Sequence, residues 1–139
     1  MGIEFFEIYL QTTSDTDILD ITRQAEQAVL KSAIENGSMT VFISGSTAAV
    51  TTIEYEPGVL NDLRKAIERI APRDIPYDHD RRWGDGNGYS HVRASLVGPS
   101  LVVPVREARL LLGTWQQIVV IDFDNRPRKR KVVIQTMGD

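Results

Sequence analysis

The amino-acid sequence predicts an α+β fold: a β-sandwich-like core of mostly antiparallel strands with two main helices, in one domain spanning residues 1–139. Three observations carry this. Both strongly amphipathic stretches fall in the first half of the chain, four strand-like runs follow one another in the second half, and the last of these runs are joined by connections too short for crossover helices. A length of 139 residues suits one domain, and 42% hydrophobic with 25% charged residues is ordinary globular composition.

Residues 3–12 are rich in aromatic and β-branched side chains without Gly or Pro, so they read as a strand, with "SDTD" at 14–17 as a turn. From Ile21, apolar residues recur at Ala25, Val29, Ala33 and Ile34, which is helical spacing. Asp20 is placed to cap this helix and Gly37 to stop it. "MTVFIS" (39–44) and "AAVTTIEY" (48–55) read as two strands joined by a hairpin or tight crossover. Pro57 then opens a second helix whose apolar stripe is Val59, Leu60, Leu63, Ala66, Ile67 and Ile70. Strands are expected at 100–105, 108–113, 117–123 and 131–137. Residues 91–98 fit a short helix or an apolar strand equally well.

Composition excludes several functions. There is no cysteine, so disulfides, thiolate metal sites and cysteine nucleophiles are ruled out. A cytoplasmic location fits that usage. Glu4 and Glu7 stand where a secretory signal needs basic residues, and Phe6 stands where a myristoylation signal needs Ser or Thr. No apolar run approaches the ~20 residues needed to span a bilayer, so no membrane partner is expected. The net charge of −3 argues against nucleic acid as a partner. "RPRKRK" at 126–131 is the local exception, and it reads as a solvated, charged strand edge because no stacking aromatics are interleaved. Neither a nucleophile elbow nor a dinucleotide fingerprint is present.

The chemistry-bearing stretch is "HDRRWGDGNGYSHVRAS" at 79–95, which holds the only two histidines, His79 and His91. It reads as a long polar loop, bent by Gly84, Gly86 and Gly88 and anchored by Trp83 and Tyr89, presenting His79, Asp85, Asn87 and His91. Twelve positions separate the histidines, so they are no single-turn helical pair, but a folded loop can bring them together. Asp78, Asp80 and Asp85 supply oxygen ligands, and Glu54 can join from the 48–55 strand. Imidazole with carboxylate suits zinc, manganese or iron, and carboxylates alone suit magnesium. "SGST" at 44–47, with Ser46 and Thr47, has the small residues and hydroxyls of an anion-binding turn, and equally those of a plain turn. In "GTWQQ", Gly113 is expected in a turn, Trp115 in a core or subunit interface, and Gln116 against a ligand.

"STAAVTTIE" (46–54), "NGYSHVRASLVGPSLVVPV" (87–105) and "LLLGTWQQIVVIDFDNRPRKRKVVI" (110–134) resemble the YjbQ-like family of small uncharacterised proteins, over nearly the whole chain. The resemblance implies a homotrimer with polar pockets near the subunit contacts. It also implies a secondary thiamine-phosphate synthase activity, a transferase step joining a pyrimidine diphosphate to a thiazole phosphate. On this reading Glu54, His79 and His91 handle protons or metal. Ser46, Thr47, Asn87, Arg93 and Gln116 hold the phosphorylated substrate, and a divalent metal (Mg or Zn) sits on His79, Asp85 and His91. The chain departs from the family pattern at Gly45, where relatives carry histidine, while the motif's glutamate carries over as Glu54. The rival expectation is a non-catalytic trimeric module that binds a small anion or metal.

Overall fold

The computed structural model describes residues 1–139. Its eight strands are β1 (Gly2–Gln11), β2 (Asp17–Asp20), β3 (Gly37–Ile43), β4 (Ala48–Ile53), β5 (Ser100–Arg106), β6 (Arg109–Leu110), β7 (Gln117–Asp122) and β8 (Lys129–Gly138). Its four helices are α1 (Thr22–Ser32), α2 (Pro57–Ile70), α3 (Asp78–Trp83) and α4 (Gly88–Val97). All strand pairs are antiparallel. One sheet runs β1-β8-β3-β5-β6 and the other β2-β7-β4. No helix is long and apolar enough to cross a membrane.

The side-chain alternation of the strands builds three layers. Phe6, Ile134, Val41 and Leu101 align across four strands on the inward face of the large sheet. With α1, this face packs against Ala48, Val50, Ile118 and Val120 of the small sheet. The opposite face of the small sheet carries Ile18, Ala49, Val119 and Ile121, and packs with Leu60 and Ile67 of α2 and Ala94 of α4. β7 is therefore buried on both faces, which is why "IVVIDF" is apolar without alternation although its partners are antiparallel.

Several expectations change. Of the two alternatives for the 39–44 and 48–55 strands, the structure takes the tight crossover and not the hairpin: the chain passes from one sheet to the other between them. A two-layer sandwich needs such a crossing, and the hydrophobic pattern of either strand is blind to it. β2 was not read from the sequence, which placed a turn at 14–17; the four residues Asp17–Asp20 pair along the edge of the small sheet. The N-cap of α1 is Ile21 rather than Asp20, although the Asp20 carboxylate one residue earlier still accepts from the Thr22 N–H at 2.9 Å. The helix ends earlier than Gly37, however, with Ala33 in the left-handed conformation. Gly37 instead starts β3, where a Cβ would overlap the Met137 carbonyl. Pro57 opens α2 as expected, and Glu56 caps it through the Gly58 and Val59 N–H groups at 2.7 and 2.9 Å. Residues 91–97 are helical within α4, which Gly98 ends, and the segment from 78 onward is two helices rather than one loop.

The strand part of the basic run, 129–131, is not a sheet edge, because β8 lies between β1 and β3, while 126–128 precede the strand with Arg126 and Pro127 exposed. Strand alternation splits it. Arg130 points inward to Asp122, and Arg128 bonds Asp124, while Lys129 lies over the Tyr9 ring at 5.3 Å.

Candidate functional site

α3 and α4 form a short helical hairpin that carries both histidines. Its turn follows from local chemistry. Gly84 ends α3 in the left-handed conformation (φ +66°) and donates to the Asp80 carbonyl at 2.7 Å, a geometry that costs a β-carbon residue strain. Asn87 is buried and pins the turn to the strand layer, its Oδ1 accepting from the Ser90 hydroxyl (2.5 Å) and the Asn125 N–H (3.1 Å). Asp80 Oδ1 accepts from the Gly88 N–H at 2.8 Å, tying the start of α4 back to α3. Tyr89 is buried and anchors α4, lying between the guanidiniums of Arg73 and Arg93 at 5.1 and 4.8 Å. Trp83 does not anchor the segment; it is 66% exposed.

This hairpin brings His79 and His91 together, with ring centroids 4.3 Å apart. The His79 Nδ1 lies 3.3 Å from Asp85 and 3.6 Å from Asp80. Ligand atoms of His79, Asp80 and Asp85 fall within 4.8 Å of one another. Asp80 thus occupies the tight cluster, and His91 packs against it as a ring. Asp78 points away into solvent and pairs with Arg81. The His79 Nδ1 is buried with no hydrogen bond of acceptable geometry, a rare state for a ring nitrogen. Burial first, and then the neighbouring His79, push the His91 imidazole below its ordinary value against the opposing pull of Asp85, Asp124 and Asp80. His91 also lines a cavity of about 200 Å³ with Gly45, Ser46, Ala94 and Ser95.

The remaining expected residues are placed elsewhere. Arg93 is two residues beyond His91, roughly 200° around the helix. Its guanidinium is committed to the Ala71 carbonyl (3.0 Å), Thr16 (3.3 Å) and Glu68, so it faces α2 and not the Ser46 turn. Thr47 is buried, donating to Asp124 at 2.9 Å and accepting from Arg130 at 2.6 Å. Glu54 lies just past the far end of β4. Six residues from Ala48 at roughly 3.3 Å each set it about 20 Å along the strand from the histidine end. Gln116 is near that far end, donating to Thr52 at 3.2 Å and accepting from the Gly113 N–H at 3.0 Å. It lines a separate cavity of about 300 Å³ with Thr51, Thr52 and Ser100. Trp115 packs into no core of this chain, being 71% exposed.

Sequence reasoning missed the charged cluster behind Thr47. Asp122 and Asp124, both fully buried, face Arg130 and Arg128. Arg130 donates to Asp122 from Nε (2.7 Å) and Nη2 (2.9 Å), and Thr12 donates to the same carboxylate at 2.7 Å. The period-two spacing of Asp122, Asp124, Arg128 and Arg130 was the available signal, since alternate strand residues share a face.

A family model described as "UPF0047 protein YjbQ-like" matches residues 6–139. A UPF0047 protein of Archaeoglobus fulgidus is 37% identical over 131 residues, covering 94% of this chain and 99% of that protein. The UPF0047 protein YugU of Bacillus subtilis is 33% identical, covering 94% and 97%. Among solved structures, a YbjQ-like protein of unknown function from Sulfolobus solfataricus superposes with a TM-score of 0.94 at 33% identity, covering 99% of both chains. A hypothetical protein from Aeropyrum pernix superposes with a TM-score of 0.90 at 30% identity, covering 98% and 99%.

Proposed function

This chain belongs to the YjbQ-like UPF0047 family, and from that premise we propose that it binds a small phosphorylated compound beside a divalent metal held by the α3–α4 hairpin. The observation that carries this reading is the His79 Nδ1, buried without a hydrogen bond among the carboxylates of Asp80 and Asp85. An unpaired ring nitrogen among carboxylate oxygens is a donor set that suits a divalent cation, zinc or magnesium. His79, Asp80 and Asp85 would hold it, with His91 alongside. A bound cation would supply positive charge to offset that of a phosphorylated group.

The chain's own residues do the rest. Asp80 and Asn87 fix the hairpin, so the imidazoles arrive oriented. His91, whose burial favours the neutral form, is suited to accept a proton at the edge of the cavity. The finer reading is a secondary thiamine-phosphate synthase, a transferase that joins a pyrimidine diphosphate to a thiazole phosphate with loss of pyrophosphate. Glu54 and Gln116 lie too far away to serve the same pocket within one protomer. In a homotrimer, a neighbouring protomer can present them. Phe5, Phe42 and Val102 stand exposed on the outer face of the large sheet, an apolar surface that further copies would cover. A cytoplasmic setting fits the absence of cysteine.

Zinc and magnesium titrations by calorimetry, on the native protein and His79→Ala, test the metal. Incubation with the two phosphorylated precursors, followed by detection of thiamine phosphate, tests the reaction. The proposal expects binding that weakens at least tenfold in His79→Ala, and product that disappears in His91→Ala. Metal binding without product would leave the non-catalytic binding module. Neither binding nor product would overturn both readings.

A further inference from the structure

Arg130 leaves β8 on the inward face of the large sheet, paired in register with Leu10, and crosses to the small sheet. A guanidinium has five N–H donors. Three are engaged here, one from Nε and two from Nη2, on Asp122 and Thr47. The remaining two belong to Nη1, which has no acceptor in the chain although the side chain is only 9% exposed. Nη1 points at the crossing turn between β3 and β4, and a Cβ built on Gly45 would sit 2.8 Å from it. Gly45 has φ +109°, so glycine at this position leaves room over Nη1.

The turn adds further donors. The backbone N–H groups of Gly45, Ser46 and Thr47 have no acceptor within the chain. Gly45 and Ser46 also line the cavity of about 200 Å³ that His91 and Ser95 close from α4. A fixed guanidinium edge beside a run of free N–H groups is the arrangement that binds phosphate oxygens. Asp124 does not compete strongly for this edge. It stands 3.8 Å from Nη2, and its oxygens are taken by Thr47, Arg128 and the Arg126 N–H.

We propose that Arg130, through Nη1 and the Gly45–Ser46 turn, is the anchoring residue for the phosphate or diphosphate group of the ligand. The inference rests on the phosphorylated-ligand half of the function proposed above and is independent of the metal. Asp122 and Thr47 orient the guanidinium before any ligand arrives, so little ordering is needed on binding.

The test uses the full chain freed of metal by chelator and dialysis, with pyrophosphate as the probe. Calorimetry should show binding to the native protein. Ser46→Asp places a like charge on an exposed residue that makes no hydrogen bonds of its own, and should weaken binding about tenfold. The Arg130 Nη resonances in ¹⁵N-detected spectra should shift on titration in the native protein and stay still in Ser46→Asp. Lys65→Ala, which removes an exposed cation on α2 away from the turn and from the histidine cluster, should bind pyrophosphate as the native chain does. Equal binding by Ser46→Asp with unmoved Arg130 resonances would overturn the proposal. So would pyrophosphate binding that appears only with metal and vanishes in His79→Ala, an outcome that leaves the metal reading standing.

Discussion

Two polar clusters lie close together in this protein, and they are built on opposite terms. Behind Thr47, the carboxylates of Asp122 and Asp124 are fully buried and matched by Arg130, Arg128 and the hydroxyls of Thr12 and Thr47. On the α3–α4 hairpin, His79, Asp80 and Asp85 crowd together around a buried nitrogen that makes no hydrogen bond. The first cluster links the two sheets and, apart from the outward Nη1 edge of Arg130, is matched within the fold. The second leaves a polar atom unsatisfied, which the fold alone gives no reason to keep. Satisfaction of polar groups, more than their number, separates structure from site here.

The largest expected effect breaks the satisfied cluster. Asp122→Ala strands the Arg130 charge between the sheets, and losing one partner of a buried pair costs about 3–5 kcal/mol. Urea unfolding should show that loss, with Asp122→Asn losing less because it still accepts a hydrogen bond. Acid acts on the same cluster. Burial alone would raise the Asp124 carboxyl, but the Thr47 hydroxyl, the Arg128 charge and their hydrogen bonds outweigh it and hold the group below its ordinary 3.8. The folded state then binds fewer protons than the unfolded one. This stabilisation is present above pH 3.8 and is lost as pH falls through the lower folded value. Thermal melts across that window should decline in the native protein and flatten in Asp124→Asn.

Smaller effects should come from the hairpin. Gly84→Ala places a Cβ in left-handed backbone with open space around it, so only the conformational cost of about 1–2 kcal/mol applies. Chemical denaturation measures this directly. Trp83→Ala should fall within about 0.5 kcal/mol in the protomer, because the side chain is exposed. A larger loss that depends on protein concentration would mark Trp83 as a subunit contact.

Much of this was legible in the sequence, for reasons that also explain the failures. The amphipathic stripe of α2 and its Pro57 start follow from local periodicity and capping; the structure opens the helix at Pro57 and buries Leu60 and Ile67, but Ile70 at the end of the stripe stands exposed. The meeting of His79 with His91 was foreseen as a folded segment, though the fold is helical, because Gly84 stops α3 and Asn87 starts a new turn. Arg93 and Arg130 were the harder residues. Both are arginines in polar stretches, and only the packing of α2 against Arg93, and of β7 against Arg130, decides what each one faces. The choice between hairpin and crossover at Gly45 stayed open for a similar reason, since which sheet a strand joins is a long-range property.

Thermal unfolding of the native protein, His79→Ala and Asp85→Asn, each with and without zinc, tests the central claim most directly. If the hairpin cluster exists for a ligand, the metal-free variants should melt within a few degrees of the native chain. Zinc at 100 times its Kd should raise native stability by about 2.7 kcal/mol and the variants far less. Variants that collapse without metal, or a native chain whose melting zinc does not move, would contradict it.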